Sequence, residues 1–325
     1  MDEARTLLGW SEDGERAMSI FQPYAKAKML GAVSARQRFV HYTSAETAGK
    51  ILQTKQVLLR QASLQNDFRE IEFGTSCIQN SWQKHQALFD EVFSAYEPDF
   101  GQRLWNWLSS WKDRVRWETF VTCVSEHDPL EDKFGRLSMW RAYGGNNGVA
   151  LVINGTPFFT ASDALGAYSS PVAYHTSDSF SEEFEKLVIR VRDNAEFLRS
   201  QAAGWVFGQM CHVLHYAMLC TKHYGFCEER EWRIVRSPAF NKPSALSESV
   251  MTIAGIPQKV LALELKDDAA NGLVGIEIPS LLDRLIIGPT QQPVAVGDAL
   301  ATLLKDAGVL DPYAMIVFSD IPLRR

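Results

Sequence analysis

The chain has 325 residues, of which 46% are hydrophobic and 22% are charged, as in packed globular proteins and unlike disordered ones. The net charge of −6 excludes a protein that coats nucleic acid through a generally basic surface. The sequence has no stretch of about 18 uncharged apolar residues, so we expect no membrane-spanning helix and no membrane partner.

The amino-terminal sequence does not have the basic and then apolar arrangement of a signal peptide. We expect residues 1–36 to form a peripheral segment and residues 37–325 to form one α+β domain, with helical insertions at about 80–118 and 181–224. The five cysteines are odd in number and mostly lie in apolar sequence, as buried thiols do in reducing compartments. These features favour a cytoplasmic protein.

A strand–helix–strand unit is predicted over Arg38–Arg60. The first strand contains Tyr42, the segment Thr43–Glu46 has the spacing of a helix capping box, and Val57–Arg60 is the second strand. His41 and Tyr42 are therefore expected where a strand ends and a helix begins, a place that exposes side chains and free backbone N–H groups. A structural histidine beside a capped helix is the alternative.

The remaining sequence alternates irregularly between helical and strand patterns, which favours an α+β fold with helical insertions. A helical stripe of Leu104, Leu108, Trp111 and Val115 is typical of core. Residues Ser237–Ser249 are predicted to form a surface loop. Further strands are predicted at Thr119–Val124, Gly148–Ile153, Glu231–Val235, Lys259–Leu265, Arg284–Gly288 and Ala314–Phe318.

Several common catalytic motifs are absent from the sequence. It contains no P-loop, no GxGxxG after a strand, no HExxH and no GxSxG. These absences exclude the most frequent kinase-like, dehydrogenase, metalloprotease and hydrolase classes.

The densest polar cluster is Cys227–Arg233. If a strand begins at Glu231, strand alternation places Glu229, Glu231 and Arg233 on one face. A carboxylate pair facing one pocket can stabilise positive charge on a ribose carbon and deprotonate an attacking group. The alternative is a solvated strand edge with surface salt bridges.

Two other segments are candidates for binding. Asn66 and Asp67 follow the second strand and form either a turn or part of a pocket. Trp140 and Tyr143 share a helical face, where they form either an aromatic wall for a ligand or ordinary packing.

A zinc site is a further alternative, because His212 and His215 lie on a predicted helix with Cys220, His223 and Cys227 nearby. Two histidines three residues apart can share a face and bind zinc. The spacing matches no standard zinc motif, so we expect no metal.

Taken in order, these motifs resemble those of a large bacterial family of unknown function. The resemblance covers roughly Arg38 to Pro289 and departs from the family pattern at Phe68, where proline is frequent. The shared motifs are His41-Tyr42-Thr43, Asn66-Asp67, Ser138-Met139-Trp140 with Gly148–Leu151, Glu229-x-Glu231-Trp232-Arg233 and Ile286–Pro289.

The same pattern is more distantly similar to ADP-ribosyltransferases. That resemblance implies a split β-sheet core, a ribose-binding histidine at His41 and a catalytic glutamate at Glu231. It also implies that Glu229 is the first carboxylate of a Glu-x-Glu motif. Tyr143 is the best match for the tyrosine expected on the central strand.

The resulting hypothesis has NAD as the substrate and no metal. Glu231 stabilises the sugar cation, and Glu229 or Asp67 activates a nucleic-acid or protein acceptor, in a toxin or anti-phage role. The other expected contacts are His41 and Thr43 with the adenosine ribose or nearby phosphate, and Tyr42 stacked on a flat heterocycle of the cofactor. Trp140 or Tyr143 is expected on nicotinamide, Arg60 or Arg233 on pyrophosphate, and Asn66 and Asp67 on substrate.

Two alternatives belong to other functional classes. One is a non-enzymatic module that senses a nucleotide in the same pocket. The other is a metal-dependent nuclease or hydrolase built on the carboxylates.

Overall fold

The computed structural model describes residues 2–64, 69–160, 162–240 and 244–322, which form a mixed α/β fold with an open mixed sheet and many helices. The expected combination of strands and helices is confirmed at this level. Within these ranges, the longest helices are too polar and the apolar ones too short to traverse a lipid bilayer.

The strands are β1 (Arg38–Ser44), β2 (Gln56–Gln61), β3 (Phe120–His127), β4 (Gly148–Ile153), β5 (Tyr168–Pro171), β6 (Ala173–His175), β7 (Thr221–His223), β8 (Glu231–Arg236), β9 (Ser247–Ile253), β10 (Ile256–Glu264), β11 (Leu282–Ile287) and β12 (Ile316–Phe318). The main sheet runs in the order β12-β11-β4-β1-β3-β2-β10-β9, and β8 pairs with both β3 and β5. Strands β6 and β7 form a separate parallel pair.

The main sheet splits at β3. Strand β1 pairs with the end of β3, where Val40 lies opposite Ser125, and β2 pairs with its beginning, where Arg60 lies opposite Val121. Strand β8 pairs with β3 over Phe120–Ser125. Strands β1 and β2 therefore diverge from β3 and carry two half-sheets away from it.

The helices are α1 (Asp2–Leu8), α2 (Glu12–Phe21), α3 (Pro23–Ser34), α4 (Ala45–Thr54), α5 (Arg69–Phe93), α6 (Phe100–Trp111), α7 (Val115–Glu118), α8 (Leu137–Tyr143), α9 (Thr156–Phe159), α10 (Ser177–Asp193), α11 (Ala195–Arg199), α12 (Trp205–Leu219), α13 (Ile278–Leu281) and α14 (Pro293–Asp306). Helices α5, α6, α10 and α12 pack over β3 and β8, while α4 and α14 pack against β4 and β11.

The largest core cluster confirms the helical stripe predicted from sequence. Leu104, Leu108, Trp111 and Val115 are all buried in it. The same cluster contains side chains of α2, among them Phe21, so the segment expected to be peripheral contributes to the core.

The start of α4 differs from the predicted capping box. Ser44, one residue after the predicted Thr43, is the N-cap and accepts a hydrogen bond from the Thr47 backbone N–H. The reason is that Thr43 is still paired with Val149 in the ladder of β1 and β4, so the strand continues past the predicted boundary.

Candidate active site

The acidic pair predicted from sequence lies where a 3-10 helix (Tyr224–Glu229) meets the start of β8. Arg230, between the two glutamates, has a left-handed backbone conformation with φ of 45°, which turns the chain sharply. Glu229 therefore ends the helix and is not part of the strand. Strand alternation, which predicted one face for three side chains, applies only to Glu231 and Arg233.

Both carboxylates meet at a buried lysine on β7, Lys222. Its Nζ lies 2.5 Å from Glu229 Oε2, 2.7 Å from Glu231 Oε2 and 2.8 Å from Glu70 Oε1. Because the two Oε2 atoms of the pair contact the same Nζ, they lie within about 5.2 Å of each other. Arg233 completes the cluster: its Nε donates to Glu231 Oε1 at 2.7 Å, and its Nη2 donates to Glu70.

Two tyrosines hydrogen-bond the residues of the acidic pair. The Tyr143 hydroxyl donates to Glu229 Oε1 at 3.1 Å, and the backbone N–H of Glu231 donates to the Tyr174 hydroxyl at 2.8 Å. Tyr143 is thus the one aromatic residue of the predicted Trp140–Tyr143 face that reaches the carboxylates.

The surrounding residues shift the pKa values of the two glutamates in opposite directions. Burial by itself raises the pKa of Glu231, but the charges of Arg233 and Lys222 outweigh it and lower that pKa to about 2. Burial also raises the pKa of Glu229, and the charge of Lys222 offsets only part of that effect. Glu231 stays ionised, whereas Glu229 can take up a proton more easily, a division that acid–base sites use.

His41 lies in the split of the sheet. Its Nδ1 is 2.9 Å from the backbone oxygen of Cys123, which can only accept, so Nδ1 carries the proton. The Cys123 side chain contributes to lowering the pKa of Glu231. The register places Val40 beside Ser125 and Ser125 beside Glu231, so His41, the next residue after Val40, points to the opposite face of the sheet from Glu231.

Tyr42 and Trp140 form part of the core. The Tyr42 hydroxyl accepts the backbone N–H of Arg136 at 2.7 Å, and its ring meets the Trp140 ring edge-on at 4.9 Å. Trp140 is 2% exposed, and its indole N–H donates to the Phe134 backbone oxygen. This arrangement corresponds to ordinary packing, the alternative to an aromatic wall for a ligand that the sequence left open for Trp140.

Two other residues that were predicted to bind NAD, Thr43 and Arg60, have partners outside the acidic cluster. Thr43 remains in the ladder with β4, and Arg60 Nε donates to Gln258 at 2.9 Å. In the described part of the chain, neither residue has a hydrogen bond or ion pair with the acidic cluster. Asn66 and Asp67 lie outside the described residues.

Sequence reasoning missed Lys222, Glu70 and Tyr174. The predicted polar cluster contained only residues that are neighbours in sequence, and residues 181–224 were predicted to be mostly helix. The helix instead ends at Leu219, and Lys222 lies in the short strand Thr221–His223. The available signal was a lysine three residues after the end of an apolar helix.

The structure does not support the zinc alternative. The Trp111 indole donates to His215 Nδ1 at 2.9 Å, and Nε2 contacts Ser237 at 2.8 Å, so both ring nitrogens are used. The His212 ring packs against the Tyr216 ring in a tilted arrangement, with the centroids 4.6 Å apart. Among the described residues, no group of three or more His, Cys, Asp and Glu side chains could hold a metal ion.

The acidic cluster lies directly beneath the surface. The ring of Phe226 is 41% exposed, and its centroid lies 5.6 Å from Lys222 Nζ. Two surface cavities lie elsewhere: one of about 520 Å³ at the ends of β11 and β12, and one of about 560 Å³ on α5 and α6. No ionic residue of the cluster lines either cavity, so we place the candidate site where the chemical groups converge.

A comparison with known proteins finds a match to one family over part of the chain. Residues 139–234 match a family described as protein of unknown function (DUF2971). The matched region runs from α8 to β8 and contains Tyr143, Lys222, Glu229, Glu231 and Arg233. No curated protein and no solved structure matches the chain.

Proposed function

We propose that this protein is an enzyme that cleaves NAD and transfers ADP-ribose to a macromolecular acceptor, either a nucleic acid or a protein. The proposal depends on the pair Glu229 and Glu231, whose carboxylates share the Lys222 ammonium and whose pKa values are shifted in opposite directions, upward for Glu229 and downward for Glu231. Neighbouring carboxylates of different acidity act on glycosidic bonds through sugar cations.

The two glutamates would have different roles in the reaction. The bond between nicotinamide and ribose breaks, its electron pair moves to the ring nitrogen, and neutral nicotinamide leaves. The permanently ionised Glu231 stabilises the positive charge that develops on the ribose. As nicotinamide departs, an acceptor group attacks the same carbon and gives its proton to Glu229, whose pKa is raised, so bond cleavage depends on both glutamates.

The topology also supports the proposal. The resemblance to ADP-ribosyltransferases implied a split sheet with a catalytic glutamate on a later strand, and β8, which begins at Glu231, pairs with the strand at which β1 and β2 diverge. His41 lies on the opposite face from the carboxylates. We therefore assign it no substrate contact here, and its hydrogen bond to Cys123 is a structural one.

Arg233 is likewise not assigned to the pyrophosphate. Its guanidinium is buried and paired with Glu231 and Glu70, so it is not available to a phosphate. Its role in the proposal is to keep Glu231 ionised.

The test is release of nicotinamide from NAD by the purified full chain, with and without cell extract. Glu229→Gln is expected to lower release by about 100-fold or more, a typical effect of removing a general base. Glu46→Gln is the matched control, because Glu46 pairs with Lys50 on the surface and its side chain is 77% exposed. Wild-type release by the Glu229→Gln variant would refute the assignment.

The same assay distinguishes the two alternatives. NAD binding without release of nicotinamide favours a nucleotide-sensing module. Turnover that disappears with a chelator and returns with a divalent cation favours a metal-dependent hydrolase.

A further inference from the structure

Arg136 connects the turn that carries the acidic pair to the rest of the sheet. Its Nη1 donates to the backbone oxygens of Glu228 and Glu229 at 2.9 and 3.1 Å. Its Nη2 donates to the backbone oxygen of Glu126 at 2.8 Å. Its Nε and Nη2 also donate to the two carboxylate oxygens of Glu131 at 2.8 and 2.9 Å.

These contacts meet a specific need of the turn. The last carbonyls of a helix have no partner within it, and the 3-10 helix ends at Glu229. Arg230 then adopts the left-handed conformation, which only surrounding contacts can hold in a residue other than glycine. The Arg136 guanidinium binds the two carbonyls immediately before this residue.

The guanidinium geometry makes the connection specific for arginine. Nε and Nη2 of the planar guanidinium donate to the two oxygens of the Glu131 carboxylate. At the same time, Nη1 donates to the backbone oxygen of Glu228, and the second hydrogen of Nη2 donates to the backbone oxygen of Glu126. A lysine ammonium keeps the charge but cannot span these three positions. Arg136 is also 9% exposed, so water does not readily replace these contacts.

We propose that Arg136 is a positioning residue, which fixes the turn so that Glu229 reaches Lys222 and Tyr143. This inference rests on the proposed function for its effect on catalysis. Its structural part, that Arg136 holds the turn, stands independently of that function.

Arg136→Lys is the test, and Arg114→Lys is its control. Arg114 also makes a two-donor contact with a carboxylate, with both bonds to Glu118 at 2.8 Å, but this pair lies on the surface and far from the turn in sequence. We expect Arg136→Lys to lower kcat for nicotinamide release by about 100-fold with little change in KM, the size of effect that a small misplacement produces. Arg114→Lys is expected to retain wild-type values.

The pH dependence separates positioning from loss of folded protein. Burial and the charges of Glu231 and Glu70 raise the pKa of Glu229, and Lys222 lowers it, so moving Glu229 out of this cluster changes that pKa. The acid limb of the kcat profile should therefore shift in Arg136→Lys. If kcat falls by the same factor at every pH and the acid limb of its pH profile stays in place, Arg136 only supports folding.

Hydrogen exchange tests the structural part without any activity. The Glu231 amide, which donates to Tyr174, should exchange at least tenfold faster in Arg136→Lys than in wild type or Arg114→Lys. Equal exchange in all three proteins overturns the proposal. If the Glu231 amide exchanges faster in Arg136→Lys but the wild type releases no nicotinamide, Arg136 still holds the turn and the proposed reaction is rejected. If Arg136→Lys does not fold, Glu131→Gln weakens the same fork and should change exchange in the same direction.

Discussion

Replacing Lys222 with methionine tests the ionic cluster while keeping a side chain of similar length. Lys222 is buried and contacts carboxylate oxygens of Glu70, Glu229 and Glu231 at 2.5 to 2.8 Å. Without it, Glu70 and Glu231 keep Arg233 as a cationic partner, whereas Glu229, whose side chain is 14% exposed, loses its ion pair. Removing one partner of a buried ionic group costs roughly 3–5 kcal/mol, so we expect a loss of about that size in the free energy of unfolding at pH 7.

The loss should depend on pH in a defined direction. The pKa of Glu231 in the folded protein is about 2, below its ordinary value of 4.5, so its ionisation stabilises the fold above pH 4.5 and that contribution disappears as the pH falls towards 2. At about 1.4 kcal/mol per pKa unit, this contribution is about 3 kcal/mol. Arg233 is the larger and Lys222 the smaller of the two charges that lower this pKa, so in the Lys222→Met variant the pKa rises and part of this contribution is missing. The difference from wild type in the free energy of unfolding should therefore narrow between pH 5 and pH 3.

Urea unfolding followed by tryptophan fluorescence measures both effects, since the chain contains nine tryptophans. Lys50→Met is the control, because Lys50 pairs with Glu46 at 2.6 Å but both side chains are mostly exposed, and the expected change is within about 0.5 kcal/mol. The reasoning is refuted if Lys222→Met is as stable as Lys50→Met at pH 7, or if its deficit does not depend on pH.

Two further predictions concern the core. Burial lowers the pKa of His215 to about 3 from 6.5, so the stability of the fold should decline as the pH falls from 6.5 towards 3, by up to about 1.4 kcal/mol per pH unit. His215→Gln should flatten that slope in urea unfolding, and an unchanged slope would contradict the assignment. Gly288→Ala places a methyl group 2.8 Å from the Trp140 ring and should lower the free energy of unfolding by about 1–3 kcal/mol. Gly31→Ala is the control, because that methyl group meets no atom within 4 Å, and equal thermal stability of the two variants would argue against this tight packing.

Local patterns in the sequence predicted several elements correctly. The strand–helix–strand unit over Arg38–Arg60 corresponds to β1, α4 and β2, and Gly148–Ile153 is β4. These elements are specified by alternation, helical periodicity and capping residues that lie next to each other in sequence. Segment Ser237–Ser249 was only partly a loop, since β9 begins at Ser247. This edge strand is exposed, so it does not need the apolar alternation that reveals a buried strand.

The candidate site was less predictable because its partners come from distant parts of the chain. Glu229 and Glu231 were evident as an acidic pair, but Glu70 lies far away in sequence and joins them only through Lys222. His41 was correctly placed on the first strand, yet the side of the sheet to which it points depends on the register with β3. A shift of one residue would reverse that side, and the sequence of a single strand does not determine this register.

The most direct test of the account is the rate of nicotinamide release from NAD, measured across pH for the wild type and for Glu229→Gln. The account predicts that the wild-type rate rises with pH as Glu229 loses its proton, with a midpoint above the ordinary glutamate pKa. It also predicts that this limb is absent from the much slower variant. Release that is equal in the two proteins, or absent from the wild type at every pH in the presence of cell extract, would contradict it.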